Sequence, residues 1–402
     1  MTKIVFLHPD LGIGGAERAV IDAALALKGK GHSVEFVTSH HDPNHCFPET
    51  TDGSFKVTSV GDWLPRSIFG KFAALCAYIR MIYAAIYLVL FSDISKDVDL
   101  FFCDQISACI PFLKLHSKAK ILFYCHFPDM LLTQRKSFMK KLYRGPIDWF
   151  EEITTGMADT ILVNSNFTAG IFHETFKSLS NITPQVLYPV PDCEIFDKPV
   201  DQPTDDLIPS NKSLIFTSIN RYERKKNLPL AIKAFAKVRE NHADNKDIHL
   251  IMAGGYDERV TENVEHYQEL KQLVKDYHLD NDVSFHRSLS DAKKQTLLKY
   301  STCLLYTPDK EHFGIVPIEA MGMQCPVIAV NSGGPLETIE DGKTGFLCEP
   351  IPEKFAKAME FFVNNPEKSQ IFGKSGKERV LSKFSFNQFS GTLNGIVSNI
   401  IH

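Results

Sequence analysis

At 402 residues the chain is long for a single hydrophobic core, and length alone favours two domains. With 44% hydrophobic residues, 23% charged residues and a formal net charge of −4, it has the composition of a globular protein, and no basic field points to nucleic acid. Nine scattered cysteines, an odd number, argue against a disulfide framework and for a reducing compartment. The opening MTKIVFLHPD holds one apolar strand and turns polar too soon for a secretory signal.

Lys3–His8 reads as a buried strand. A glycine-rich loop follows, then an apolar-periodic helix over about residues 17–28 and a second strand over 33–39. This strand–helix alternation predicts a parallel sheet with crossover helices, and it resumes with strands at 98–103, 120–126, 160–164 and 186–189. Between Pro189 and Pro209 stand five prolines and several aspartates without periodicity, the mark of an interdomain connection. Strands then recur at 214–220, 248–253, 283–286, 302–307, 326–330 and Gly345–Cys348, with helices such as 228–239 and 262–276 between them. The expectation is α/β: an N-terminal doubly wound domain over 1–195, a second over 196–385, and a final helix over 386–402 that packs on either half. A ligand is expected in a cleft at the carboxyl edges of the sheets.

One segment stands apart. Residues 72–91, FAALCAYIRMIYAAIYLVLF, carry a single charge and are long enough to span a bilayer. Nine of them are Leu, Ile, Val or Phe, together worth about −3 to −5 kcal/mol, and Arg80 opposes this by about +2.5 to +3.5. The sum is near zero. Tyrosines and the flanking Lys71 favour an interfacial position for the stretch 68–92, with a buried domain helix as the alternative. A single crossing would put the loop holding Gly14 and Gly15 on the opposite side from His126, so the segment is expected to dip into one leaflet and return.

The chemistry concentrates in Glu311-His-Phe-Gly-Ile-Val-Pro-Ile-Glu319. Pro317 suits the first turn of a helix, which would place Glu319 on that turn and Glu311 in the loop before it. Backbone amides around Gly314, Ile315 and Val316 would form an anion site, and carboxylates on either side would accept sugar and ribose hydroxyl protons. Two glutamates eight apart are also common as solvated residues. The basic run Asn220-Arg-Tyr-Glu-Arg-Lys-Lys-Asn227 follows a strand, where Arg221 and Lys226 could neutralise a leaving diphosphate. Gly12-Ile-Gly14-Gly15-Ala-Glu17 falls short of the dinucleotide fingerprint, because Glu17 holds the third glycine's place. Gly333-Gly334-Pro335 is a similar turn, equally well read as plain structure. His126 closes a strand and could face the cleft, although a lone histidine there is more often structural. His40, His41, His45 and Cys46 share one loop without a partner cluster, so no metal site is expected.

Taken together, Glu-x7-Glu around HFG, NRYERKKN, the Gly-Gly-Ala-Glu loop, NSGGPLE and DGKTGFL resemble the retaining GT-B glycosyltransferases of family 4 over nearly the whole chain. HPDLGIGGAERAVIDAAL, GDWLPR, CDQISACIPF, FYCHFPD, YRGPIDWFEE, AGGYDERVTENVEHYQEL and EHFGIVPIEAM narrow the resemblance to the mannosyltransferases of the dolichol-linked oligosaccharide pathway that add the second and third mannoses. The resemblance implies GDP-mannose as donor, a dolichol-linked oligosaccharide as acceptor, retention of configuration, and α1,3 then α1,6 linkages. It further implies the cytosolic face of the endoplasmic reticulum membrane, contact with the membrane surface, and partner mannosyltransferases of the same pathway. Residue by residue, Glu311 would contact mannose hydroxyls and Glu319 the ribose. Arg221 and Lys226 would hold the diphosphate, Phe313, Gly314 and Ile315 would complete the donor site, Gly14 and Gly15 would approach phosphate or sugar, and His126 would sit by the sugar. No Asp-x-Asp stands in the donor site, so no metal or other cofactor is required, and the two cations take its electrostatic role. A family 4 enzyme using a UDP-sugar and a catalytically silent membrane scaffold are the alternatives.

Overall fold

The computed structural model describes residues 2–68, 70–116, 118–132 and 138–402, and Phe69 of the apolar 68–92 stretch lies outside them. The chain divides into two compact units, Met1–Val190 with Phe386–His402, and Pro191–Ser385.

The first unit holds strands β1 (Lys3–His8), β2 (Ser33–Thr38), β3 (Lys56–Ser59), β4 (Leu100–Asp104), β5 (Lys120–Cys125), β6 (Thr160–Val163) and β7 (Gln185–Val186). Its helices are α1 (Gly15–Gly29), α2 (Ala73–Phe91), α3 (Ile110–His116), α4 (Asp129–Leu132), α5 (Phe138–Gly156) and α6 (Asn166–Thr175). All seven strands pair in parallel in the order β3-β2-β1-β4-β5-β6-β7. Strands covered on both faces read as unbroken apolar runs. That is why IVFL, LFFC and ILFY form the middle of the sheet, where Phe6 stacks on its β4 partner Phe102 with ring centroids 4.4 Å apart. Sequence patterning missed β3, whose Lys-Val-Thr-Ser carries one apolar residue and lies at the sheet edge.

The second unit carries β8 (Leu214–Ile219), β9 (Ile248–Gly254), β10 (Val283–Arg287), β11 (Cys303–Tyr306), β12 (Val327–Val330) and β13 (Gly345–Cys348). Its helices are α7 (Pro229–Asn241), α8 (Thr261–Asp276), α9 (Asp291–Tyr300), α10 (Ile315–Gly322), α11 (Pro335–Thr338), α12 (Pro352–Asn364) and α13 (Glu367–Lys383). Its sheet is also parallel, in the order β10-β9-β8-β11-β12-β13.

The last helix, α14 (Phe386–Ile401), belongs to the first unit. It buries Phe389, Leu393, Ile396 and Val397, a stripe at helical spacing. Beside that stripe the Ser390 hydroxyl donates to the Ala26 carbonyl of α1, and Asn394 Oδ1 lies 2.8 Å from His32 Nε2.

Helix α2 covers the stretch read as membrane-seeking. It is long and apolar enough to cross a bilayer, yet one face is core: Tyr78, Met81, Ala84, Ala85 and Leu88 pack with Val5, Leu7, Val37 and Phe101 of the sheet. Arg80 lies on that inner face, buried, donating to the Ser39 carbonyl at 2.6 Å and pairing with Asp62 at 3.3 Å. The charge that opposed lipid in the sequence tally thus ties α2 to the end of β2. The strands before α2 and β4 after it hydrogen-bond into one sheet, an arrangement incompatible with α2 crossing a membrane once. The opposite face exposes Ile79, Tyr87, Leu90 and Phe91.

Candidate functional site

In the second sheet the strand order reverses between β8 and β11, and the carboxyl ends of strands at such a reversal are where open α/β sheets bind ligands. Beyond β8 the basic run winds into a 3₁₀ turn, Arg224–Lys226, closed by Asn227 at φ 49. At the end of β11 the Thr307 hydroxyl donates to the Lys226 carbonyl at 2.7 Å, holding that turn against the strand. The loop after β11 brings Glu311 to Lys226, and the ammonium donates directly to the carboxylate. Both side chains are largely covered, 13% and 23% exposed. Burial alone would push the Glu311 carboxyl up; the adjacent Lys226 charge and hydrogen bond overcome this and hold it below its usual range. The Tyr306 phenol, buried beside the same carboxylate, is pushed far up and stays protonated.

Gly314, at φ 84, provides the N-cap of α10 and gives its first-turn amides no side-chain cap. Helix α10 begins at Ile315, so Pro317 is its third residue and Glu319 its fifth, one position beyond the first turn expected from the sequence. Glu319 pairs with Lys294 of α9 at 2.6 Å. Sequence reasoning missed Lys294, which lies 25 residues away on another helix with no motif around it. Phe313 is buried, its ring 5.9 Å from Phe384, and anchors the loop. Arg221 is 63% exposed and pairs with Glu223 at 3.0 Å, so its side chain is not drawn into the Lys226–Glu311 pair. Asn220, just before it, is buried with its amide nitrogen unpartnered.

The turn at Gly333 and Gly334 supports this loop. Gly334 N–H donates to the Glu311 carbonyl at 2.8 Å, and the Ser332 hydroxyl accepts from Lys310 N–H at 3.0 Å while donating to Asp309. A Cβ on Gly333, at φ 64, would overlap the Glu311 backbone, and one on Gly334 the Phe313 carbonyl. The two glycines form a mould in which the Glu311 loop is cast.

In the first sheet the reversal falls between β1 and β4, which end in His8 and Asp104. His126 follows β5 directly. The fully buried Asp104 carboxylate lies 2.8 Å from His8 Nδ1 and 2.8 Å from His126 Nε2. On the far side of His8, Nε2 is 3.7 Å from Glu17 in the first turn of α1. Burial would lower the His8 pKa, but the Asp104 hydrogen bond and the charges of Asp104 and Glu17 prevail and raise it to about 9. Burial likewise works against Asp104, and the two histidines outweigh it and hold it low. Glu17, in the place of the fingerprint's third glycine, is therefore a counter-ion. A Cβ on Gly14 would displace its carboxylate, whereas the space beside Gly15 is open. His8 and Asp104 were not singled out from the sequence, where 96 residues separate them.

Gly334→Ala should displace the Glu311 loop and weaken binding of a diphosphate ligand beside Lys226 at least tenfold, about 1.4 kcal/mol by calorimetry. Gly395→Ala, where a Cβ meets open space, should leave binding unchanged.

Residues 13–189 match the Glycosyltransferase Family 4 and residues 204–379 the Glycosyl transferases group 1. Over 99% of its length the chain is 55% identical to the alpha-1,3/1,6-mannosyltransferase ALG2 of Homo sapiens, covering 96% of that protein. It is 49% identical to that of Dictyostelium discoideum over 99% and 98% of the two chains, and 41% identical to that of Saccharomyces cerevisiae over 99% and 85%. Among solved structures, sucrose-phosphate synthase from Thermosynechococcus elongatus superposes with a TM-score of 0.75 at 19% identity, covering 99% of each chain. A glycosyltransferase from Rickettsia africae gives 0.73 at 19%, covering 100% of this chain and 98% of that one. The two Rossmann-like units are those of the GT-B fold. By full-length identity and by both family matches, the chain belongs to the alpha-1,3/1,6-mannosyltransferase family of glycosyltransferases.

Proposed function

We propose that the chain transfers mannose from GDP-mannose, with retention, to Man-GlcNAc2-diphosphodolichol, making an α1,3 and then an α1,6 linkage in N-glycan precursor synthesis. Full-length identity of 55% to an alpha-1,3/1,6-mannosyltransferase carries this reading, and the Lys226–Glu311 pair supplies its chemistry. An incoming diphosphate competes with Glu311 for the Lys226 ammonium. As Lys226 turns to phosphate, Glu311 is released to accept hydrogen bonds from mannose hydroxyls. The amides of Ile315 and Val316, at the α10 N-terminus, add fixed positive dipoles for the phosphates. Glu319 accepts from the ribose once Lys294 yields. Exposed Arg221 closes on the diphosphate, so leaving-group charge is met by two cations with no metal cofactor invoked. The departing phosphate assists attack from its own face of the sugar, which preserves the anomeric configuration. In this reading His126 contacts the sugar, and Gly14 and Gly15 approach phosphate or sugar.

Incubating the purified protein with GDP-mannose and lipid-linked Man-GlcNAc2 should yield trimannosyl product. GDP at a hundred times its Kd should raise stability by about 2.7 kcal/mol, and UDP at equal concentration should not. Equal protection by both would favour a UDP-sugar donor, and binding without transfer a silent scaffold.

Lys226→Ala and Glu311→Ala should each fold normally, because both groups sit at a sheet's carboxyl edge and Thr307 holds the turn through its backbone. Loss of Lys226 should lower kcat by about 10²–10³, the scale of removing one preorganised donor to developing charge. Full transfer activity in either variant would remove these residues from the site.

We further propose that the protein attaches to the cytosolic face of the endoplasmic reticulum membrane through the outer face of α2 and its neighbours. The Tyr143 ring of α5 contacts Phe72 at 5.0 Å. Helix α2 exposes Ile79, Tyr87, Leu90 and Phe91, and α5 exposes Leu142, Trp149 and Ile153. Protease-cleavable tags at Asn44 and at Lys118 should both be reached from outside sealed microsomes. Protection of the Asn44 tag alone would mean that α2 spans.

A further inference from the structure

The acid–histidine chain in the first unit has a direction. Asp104, at the end of β4, is fully buried and has a histidine on each carboxylate oxygen. His8, at the end of β1, is equally buried, and its second nitrogen faces Glu17. His126 differs from both. Its ring is 19% exposed, its backbone carbonyl is fixed by the Asn164 amide at 3.2 Å, and its ring lies 4.4 Å from that of Tyr124. Among the described residues Nε2 has Asp104 as its hydrogen-bond partner, and Nδ1 has no side-chain or backbone partner.

A carboxylate is an acceptor, so the His126 nitrogen facing it must carry the proton. The other ring nitrogen of a neutral imidazole then presents its lone pair. We propose that Asp104, backed by His8 and Glu17, is a positioning residue that fixes His126 as the Nε2–H tautomer and leaves Nδ1 to accept a hydrogen bond from a substrate hydroxyl. This rests on the reading of His126 as a sugar-side residue and adds the group that sets its state.

The physical argument runs through the alternation of charge. A buried carboxylate with a single neutral partner would itself take up a proton, and would then offer an O–H as readily as it accepts one. Protonated His8 prevents this by keeping Asp104 ionised, and Glu17 keeps His8 protonated in turn. Each member is supported by one from a different element: α1, β1, β4 and the residue after β5. Of the two histidines only His126 has exposed surface, and Glu17 at the other end of the chain of groups is already engaged with His8. Gly14 belongs to the same chain of effects, because a Cβ there would push the Glu17 carboxylate away from His8.

Two measurements on the full-length protein test this. In [15N]histidine-labelled wild type at pH 8, the His126 signals, assigned by their loss in His126→Ala, should show a protonated Nε2 and an unprotonated Nδ1. In Asp104→Asn, an isosteric change, those signals should move toward a mixture of tautomers. Transfer assays then separate positioning from simple support of the fold. Asp104→Asn should lose about 10–100-fold in kcat, the scale of one hydrogen bond to the reacting sugar. It should cause no further loss in a His126→Ala background, because Asp104 acts through His126. An Nδ1–H tautomer in the wild type, or losses that multiply in the double variant, overturns the proposal and leaves the transferase reading intact. Full activity of His126→Ala overturns the contact between His126 and substrate, and the proposed role with it, even if the tautomer is as stated.

Discussion

Each sheet reverses its strand order once, and nearly everything chemical in the chain follows from those two reversals. Parallel strands require right-handed crossovers, so helices before the reversal pass over one face and helices after it over the other. The carboxyl edge between them is left uncovered. Side chains and amides there are held by rigid strand ends while having no helix on top of them. In the second unit the place is marked by β8 and β11, from which Lys226 and Glu311 extend. In the first it is marked by β1 and β4, which end in His8 and Asp104. One topological constraint, applied twice, puts acid beside base at both edges.

The two places differ in how completely the charges are closed off. A buried ion must be compensated nearby, because desolvation costs several kcal/mol per ion. In the first unit compensation comes entirely from protein: Asp104 and His8 have no exposed surface, and neither can exchange its partner for a ligand. That arrangement can only set the state of its outermost member. In the second unit both partners keep some exposure, so an anion can reach Lys226 and a hydroxyl can reach Glu311. A closed network has only its own members to act on, and an open pair is accessible to a ligand. The Gly333–Gly334 turn extends the second arrangement, since the Glu311 loop keeps its path by packing backbone on backbone where no side chain fits.

Strand and helix positions were legible in the sequence wherever an apolar run ended in a polar or glycine residue, and the two αβ halves followed from that. The Glu311–Glu319 segment and the basic run before Asn227 were legible because their residues are close in sequence. His8, Asp104 and Lys294 were not, for a shared reason. Their partners are set by strand register and helix packing: Leu7 pairs with Cys103, which brings the next residues, His8 and Asp104, together. Spacing along the chain carries no trace of register. Edge strand β3 escaped because an edge can be polar on both faces. Glu319 was displaced by one position because Gly314, at positive φ, starts α10 earlier than Pro317 suggested.

Helix α2 shows why a hydropathy sum near zero is uninformative for a helix of this kind. The sum treats all sides alike, whereas the fold assigns them different surroundings. Arg80 enters the sum as a cost against lipid, yet it faces inward, bound to the Ser39 carbonyl and Asp62, and never meets the outer environment. Leu88 and Val89 enter as a gain, yet packing in the core has already taken them out of water. What remains for a membrane is the outer face. Fully burying a large apolar side chain is worth about 1.5–3 kcal/mol, so Ile79, Leu90 and Phe91 amount to a few kcal/mol even when half immersed. That is at most the scale of a single acyl chain, whose membrane binding is marginal and reversible. It requires no backbone to leave the sheet, and so it leaves both sides of the His8–Asp104–His126 network in the same compartment.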